Sequence, residues 1–273
     1  MFGLLVPVQG GGLGAGPVEA AVVLEQLGAH LVPGPVVWSV ITAPILPEVA
    51  RGDVRVTGAL AEEAGVIEHA ARSDTVVIAY GDRVEAFPAS RLRDAPAGSP
   101  FDPLTPAIAC GRPPTGDVVG GPDEARRLRH LGTVLTAAML VGLAQGALDV
   151  AAAYALERRQ FGVPIGSFQA VKHMLADMYV RTELARSACY AAAAVADDDR
   201  GGDAARSAST AKLLAGEAAI TNGRTAVQVL GGMGFTWAML PHYYLKRAWV
   251  LEQSFGSGGA HALALGDGLE SWT

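Results

Sequence analysis

The period of the hydrophobic positions changes twice along the chain. Over Val18 to Leu27 apolar residues recur at helical spacing, after a loop Gln9-Gly-Gly-Gly-Leu-Gly-Ala-Gly-Pro17 and before Gly28, which reads as a helix stop. Short β-branched runs then follow at Val54 to Thr57, Thr75 to Ile78 and Arg83 to Phe87, punctuated by glycine and proline, so they predict strands. The proline-rich stretch Pro96 to Pro114 reads as a connecting loop. From residue 122 the helical period returns. Asp123 is placed to cap a helix running towards Arg159, and Ser167 to cap a second with the stripe Phe168, Val171, Leu175 and Met178. Asp197 to Gly202 breaks this helix, and Asp203 opens a third, with Leu213, Ile220 and Val227 on one face and Gly231-Gly232 as its stop. Pro241 opens a fourth near His242 to Gln253, and the loop Gly256 to Gly259 precedes a short final helix.

These periods divide the chain into a helical segment at 1–50, a small β region at 51–121 and a helical part at 122–273. The predicted class is mainly α, with the four long helices and their short links forming an antiparallel bundle. Thr133 to Leu156 is long and apolar enough to cross a bilayer, with Asp149 as its only charge. Its alanine and glycine content and its charged end favour a buried helix instead, so no membrane span is expected. The start, Met1-Phe-Gly-Leu-Leu-Val-Pro-Val, has no basic segment and is broken by Pro7, which is not a secretory signal.

Composition narrows the function classes. Half of the 273 residues are hydrophobic and 18% are charged, and the mean hydropathy is +0.28, which suggests extensive helix or subunit burial. The net charge of -6 argues against a nucleic-acid surface. Cys110 and Cys189 are far apart with no metal-type spacing, which predicts reduced thiols and a cytoplasmic location. The six histidines are scattered, so no metal site is expected. The glycine loop at residues 9–17 lacks the preceding strand and the Gly-Lys-Ser of a phosphate cradle. Phe255 breaks the Gly-x-Ser-x-Gly pattern that Ser257 would need as a nucleophile.

Two segments carry more specific information: Tyr154 to Gln169, which contains Arg158-Arg-Gln-Phe161-Gly and Phe168-Gln169, and Val227-Gln-Val-Leu-Gly-Gly-Met-Gly-Phe235. Each alone has a plain reading, since arginines at a helix end offset its dipole and a glycine pair stops a helix. Together, with their spacing and with Val141 to Gln145 and Ala176 to Met178, they resemble the Arg-x-x-Phe-Gly...Gln and Gln-x-x-Gly-Gly-x-Gly motifs of the acyl-CoA dehydrogenases. These are flavoenzymes that desaturate acyl-CoA thioesters between Cα and Cβ. The likeness runs through most of Ala125 to Gly256. It implies that residues 1–50 are a truncated form of the family's amino-terminal helical domain and residues 51–121 a reduced middle β domain. The Thr-Glu and Trp-x-x-Gly-x-Lys stretches by which that domain contacts the flavin are not found.

The resemblance implies FAD as cofactor and assigns roles by position. Arg158 meets the pyrophosphate, Phe161 and Phe168 pack near the cofactor, and Gln169 hydrogen-bonds it. Gln228, Gly231, Gly232 and Gly234 allow close backbone approach to the adenosine half, and Ser257 keeps a weaker form of a threonine contact. In the family these first groups serve an FAD whose flavin lies in the neighbouring subunit.

The expected base is missing. Where the family carries a catalytic glutamate in Tyr-Glu-Gly-Thr, this chain reads Ser254-Phe255-Gly256-Ser257, and the family's alternative position falls on Gly132. Glu252, one turn before Phe255, is the remaining candidate, although a surface pairing with Lys246 or Arg247 is the plainer reading. The chain is thus similar to the small subunits of actinobacterial α2β2 acyl-CoA dehydrogenases, which implies a homologous catalytic partner that binds most of the acyl-CoA and a steroid side-chain thioester as substrate. The alternatives are a self-contained homomeric enzyme with an unconventional base such as Glu252, and a non-catalytic protein that binds FAD or acyl-CoA.

Overall fold

The computed structural model describes residues 2–96, 98–196 and 203–270. The first helical segment comprises α1 (Pro17–Ala29), α2 (Val36–Thr42) and α3 (Pro47–Arg51). The long helices are α4 (Pro122–Glu157), α5 (Gln169–Val195), α6 (Asp203–Leu230) and α7 (Pro241–Gln253), followed by α8 (Gly258–Glu270). The fold is therefore mainly α, with the predicted four-helix bundle at its centre. The predicted break at Asp197 to Gly202 lies outside the described residues.

Helix α4 is the axis of the molecule. Its most apolar stretch is 94% buried, with α1, α5, α6 and α7 packed around it. Such close packing needs small residues. Gly28 is the last residue but one of α1, and a Cβ there would lie 2.2 Å from the carbonyl oxygen of Met139. Reciprocally, a Cβ on Gly142 of α4 would lie 1.9 Å from the carbonyl oxygen of Glu25. Gly28 thus marks a helix crossing as well as the end of α1. The same holds on α6, where the buried stripe is Ala211, Ala215, Ala218, Ala219 and Ala226, while Leu213 and Ile220 are only half-buried. Alanine-rich faces bring the axes close, and the larger side chains fill the flanks.

Two other helix starts differ from expectation. Gly121, not Asp123, precedes α4, and its N–H donates to Glu124 at 2.8 Å, with Pro122 at the first helical position. Phe168, not Ser167, precedes α5, because Ser167 is taken up in a short 3-10 turn where its hydroxyl donates to the Pro164 carbonyl. The first turns of α5 consequently stay half exposed, and its stripe becomes buried only at Met178.

One buried polar knot sets the level of three helices. The Asn222 side-chain amide of α6 donates to the carbonyls of Ala144 and Met178 and to the Thr182 hydroxyl, at 2.9–3.2 Å. Fully paired, such a group specifies one register rather than weakening the core. A second network ties α1 to α5, with Glu25 accepting from Arg186 at 2.9 Å and from Tyr190 at 2.6 Å.

The β region forms a four-stranded sheet in the order β1 (Val56–Leu60), β3 (Thr75–Ala79), β4 (Val84–Pro88) and β6 (Asp117–Gly120). A separate antiparallel pair joins β2 (Val66–Glu68) to β5 (Ala107–Ala109). Strand β1 pairs with β3 in parallel and β3 with β4 as a hairpin. Ile67, Val76, Ile78, Phe87 and Ile108 form a small core between the two sheets. Two predictions shift here. The first strand begins later, at Val56, and runs on to Leu60, with Gly58 under the Trp38 ring, 2.7 Å from an added Cβ. The segment read as a plain loop contains β5, which is too short to show a period.

Candidate functional site

The structure divides the sequence-predicted site residues between the two ends of the bundle. Gly132 lies ten residues into α4 and Arg158 just past its end, roughly 39 Å apart at the helical rise. At the Arg158 end, β7 (Arg159–Gln160) and β8 (Val163–Pro164) form a minimal hairpin. Its two turn residues, Phe161 and Gly162, have φ of 52° and 83°, the left-handed pair that a two-residue turn of this hand requires. The turn thrusts Phe161 outward. It is 93% exposed and meets Phe168 edge-on at 6.2 Å. Arg158 and Gln169, on either side of the hairpin, are exposed.

Helix α6 ends at the same end of the bundle. Gln228 is exposed in its last turn, and Gly231, with φ of 61°, terminates it. Gly232 is exposed, whereas Gly234 is buried, with the Val227 carbonyl oxygen 2.8 Å from an added Cβ. This end therefore presents an exposed guanidinium, two amides, aromatic edges and glycine backbone. That donor set suits a diphosphate and the adenosine attached to it.

Ser257 is not part of this end. It lies beside Phe255, which touches Gly132. Both family positions for the base therefore face each other: a Cβ on Gly132 would be 2.0 Å from the Phe255 ring. Phe255 is 3% exposed and stacks on Trp38 at 4.8 Å. Its φ of 59° is left-handed and unfavourable for a bulky residue, so the turn must be held by its surroundings.

Charged side chains hold it from several directions. Glu63 accepts from the Phe255 and Gly256 N–H groups at 3.0 and 2.6 Å. Lys212, 1% exposed, donates to the carbonyls of Glu252 and Gly256 at 2.7 and 2.8 Å. The His261 ring lies 3.0 Å from the Phe255 carbonyl oxygen. Burial holds the Lys212 ammonium down at about 8 and pushes the Glu63 carboxyl up, against the pull of its two N–H donors.

Glu252 is engaged by N–H groups of Gln253 and Gly258 rather than by Lys246 or Arg247. One of its oxygens accepts from the Gly258 N–H at 2.5 Å and the other from the Gln253 amide, so it caps α8. Lys246 instead lies over the Trp237 ring, and Arg247 forms a buried ion pair with Asp102. Among the described residues no group of side chains could hold a metal ion.

Residues that the sequence did not point to complete this end. A cleft of about 440 Å³ lies between β1, β2 and the end of α7, walled by Trp38, Phe101, Trp249 and Phe255 and edged by Glu63 and Glu68. Glu68 accepts from the Ser254 hydroxyl at 3.3 Å, and burial pushes its carboxyl up to about 7. The signal available in the sequence was weak: Glu62, Glu63 and Glu68 look like ordinary surface carboxylates of a β region.

Comparison with known proteins agrees with this architecture. The family described as acyl-CoA dehydrogenase, C-terminal domain, matches residues 125–269. IpdE2, an acyl-CoA dehydrogenase of Mycolicibacterium smegmatis, is 32% identical over 93% of this chain and 79% of its own length. The acyl-CoA dehydrogenase FadE34 of Mycobacterium tuberculosis is 33% identical over 95% of this chain, which spans only 39% of that protein. Among solved structures, the ChsE4-ChsE5 complex of Mycobacterium tuberculosis is similar with a TM-score of 0.81 and 26% identity, over 97% of this chain and 84% of the other. The Tcur3481-Tcur3483 steroid ACAD shares the fold with a TM-score of 0.82 and 23% identity, over 99% and 85%. The chain belongs to the acyl-CoA dehydrogenase family.

Proposed function

We propose that this chain is a subunit of a heteromeric, FAD-dependent acyl-CoA dehydrogenase, α2β2 in form, that lends the ADP half of the FAD site to a homologous catalytic chain. The partner brings the flavin slot, the glutamate base and most of the acyl-CoA site. When bound, FAD supplies the hydride acceptor for α,β-desaturation of the thioester. In this reading Arg158 holds the pyrophosphate, Gln228 and the glycines of 231–234 receive the adenosine, and Phe161, Phe168 and Gln169 border it. Ser257, at the opposite end, is not among the groups that hold the ADP half in this reading.

The observation that carries the proposal is the Phe255–Gly132 contact. The two positions from which the family draws its base hold no carboxylate, and one fills the space of the other. The cleft beside them is edged by Glu63 and Glu68, neither of which stands at a position from which the family draws its base. The reduced β region lacks the family's flavin-contacting stretches, and the similar solved structures include the ChsE4-ChsE5 complex and the Tcur3481-Tcur3483 steroid ACAD. A steroid side-chain CoA thioester is the substrate class this reading favours, and the cytoplasm its location.

Co-expression with a homologous chain that retains the glutamate tests the proposal. The expected content is one FAD per pair, measured by cofactor release and absorbance. Two FAD per pair overturns the half-site reading. The homomeric alternative gains one observation from Glu68, a carboxylate near the proper proton affinity beside Phe255. Turnover by the chain purified alone, abolished in Glu68→Gln, would establish that alternative.

A further inference from the structure

The aromatic cleft does not end at Phe255. Trp38, Glu68, Ser254 and Phe255 also line a second cavity of about 30 Å³, whose walls include Thr136 and Arg247. Both of these residues are almost fully buried, at 1% and 2% exposure. Among the described residues, Thr136 Oγ1 and Arg247 Nη2 have no hydrogen-bond partner. The rest of the Arg247 guanidinium is committed, Nε to Asp102 and Nη1 to the Val32 carbonyl at 3.3 Å. Two buried, unmatched donors in one small cavity point to an acceptor oxygen that belongs there. The volume accepts one such atom.

Glu68 supplies a third donor. Burial raises its carboxyl, with Asp102 and Glu63 adding to the rise while the Ser254 hydroxyl and Arg247 oppose it. His69, which also lines the cavity, is held down at about 4 by its own burial and by Arg247, so it is neutral at ordinary pH. Below neutrality the cavity is therefore edged by a guanidinium N–H, a hydroxyl and a protonated carboxyl. The wider cleft offers two aromatic pairs, Trp38 with Phe255 and Phe101 with Trp249, the latter 5.4 Å apart.

We propose that the cleft and cavity together form a binding site for a small carboxylate with a flat apolar body. The body lies against the two aromatic pairs. One carboxylate oxygen enters the cavity to accept from Arg247 and Thr136, and the other accepts from the protonated Glu68. Guanidinium and carboxyl donors to a carboxylate are charge-assisted, which favours an anion over a neutral carbonyl. None of the site's residues is among those assigned to the ADP half of the FAD site.

The sign of the pH dependence follows from Glu68. Once it loses its proton, two carboxylates face each other, so affinity falls as pH rises through about 7. The probe is benzoate, titrated into the full-length chain at pH 6 and pH 8, read by the fluorescence of the cleft tryptophans and by calorimetry. Binding should be saturable and at least about tenfold tighter at pH 6, since one carboxyl must carry its proton. Glu68→Gln, which keeps a donor that does not titrate, should retain binding and abolish the pH dependence. Thr136→Val, of nearly the same shape, should weaken binding about fivefold, the order expected for one lost hydrogen bond. Absence of saturable binding at millimolar benzoate overturns the proposal, as does equal affinity at the two pH values. Benzyl alcohol binding as tightly as benzoate also overturns it, leaving a hydrophobic cleft with a water in the cavity.

Discussion

The Phe255 ring occupies the volume that any side chain on Gly132 would need, with its Cε1 2.0 Å from an ideal Cβ at that position. In a helix interior Gly→Ala ordinarily gains about 1 kcal/mol. Here the sign should invert, because Phe255 is also pinned by Trp38 and by the Glu63 carboxylate and cannot withdraw. Gly132→Ala is expected to lose roughly 2 kcal/mol. In the Phe255→Ala background it should be neutral or stabilising. Urea melts of the two single variants and the double variant measure the coupling, and additive losses would show that the contact is not the cause.

Restoring the family's residue should not restore chemistry. Phe255→Glu places a third carboxylate beside Glu63 and Glu68 in a site that already raises theirs. We expect no gain in turnover of the assembled enzyme and a clear loss of stability. A rise in turnover with unchanged FAD content would contradict the assignment of the flavin slot to the partner.

Arg158 and Gln228 are exposed, so cofactor binding and stability can be separated at these positions. Arg158→Ala and Gln228→Ala should leave the melting temperature nearly unchanged. Each charge-assisted contact to phosphate contributes roughly 1.5–3 kcal/mol, so FAD affinity should fall about tenfold or more for Arg158→Ala. FAD titration of the apo complex reads this directly.

Glu252→Gln should keep turnover within about tenfold of the parent, whereas loss of a general base costs roughly a hundredfold or more. Its effect belongs to the fold. The carboxylate that accepts the Gly258 N–H is weakened as a cap, so α8 should lose about 1 kcal/mol, seen as a lower melting temperature.

Lys212 gives a pH dependence of stability with a definite sign. Its folded value of about 8 is below its ordinary 10.5, so the folded chain binds this proton more weakly than the unfolded chain. The stabilisation it contributes is full above 10.5 and is lost as pH falls through 8, on the order of 3 kcal/mol at most. The stability difference between the parent chain and Lys212→Met should therefore shift in the parent's favour between pH 8 and pH 10. A difference independent of pH, measured by urea unfolding, would mean that the ammonium is not desolvated.

What the sequence determined by itself was local. The apolar period, Gly231 and Pro241 fixed the long helices, and the Arg158 to Gln169 and Gln228 to Gly234 motifs were legible because each lies within a single turn and its adjoining helix. The substitution at Phe255 was equally plain. Tertiary structure decided what those residues meet. Gly28 reads only as a helix stop because chain order cannot show that Met139 of another helix passes against it. Ser257 and Arg158 were both read as FAD contacts, and only the length of α4 shows that they lie at opposite ends of it. Glu63 and Glu68, short-range nondescript carboxylates, become the edge of a cleft only when the β region docks on the turn after α7. Sequence periodicity reports which face of an element is buried; it carries no record of which distant side chain fills the space left there, and that pairing is what made Gly132 and Phe255 a single feature.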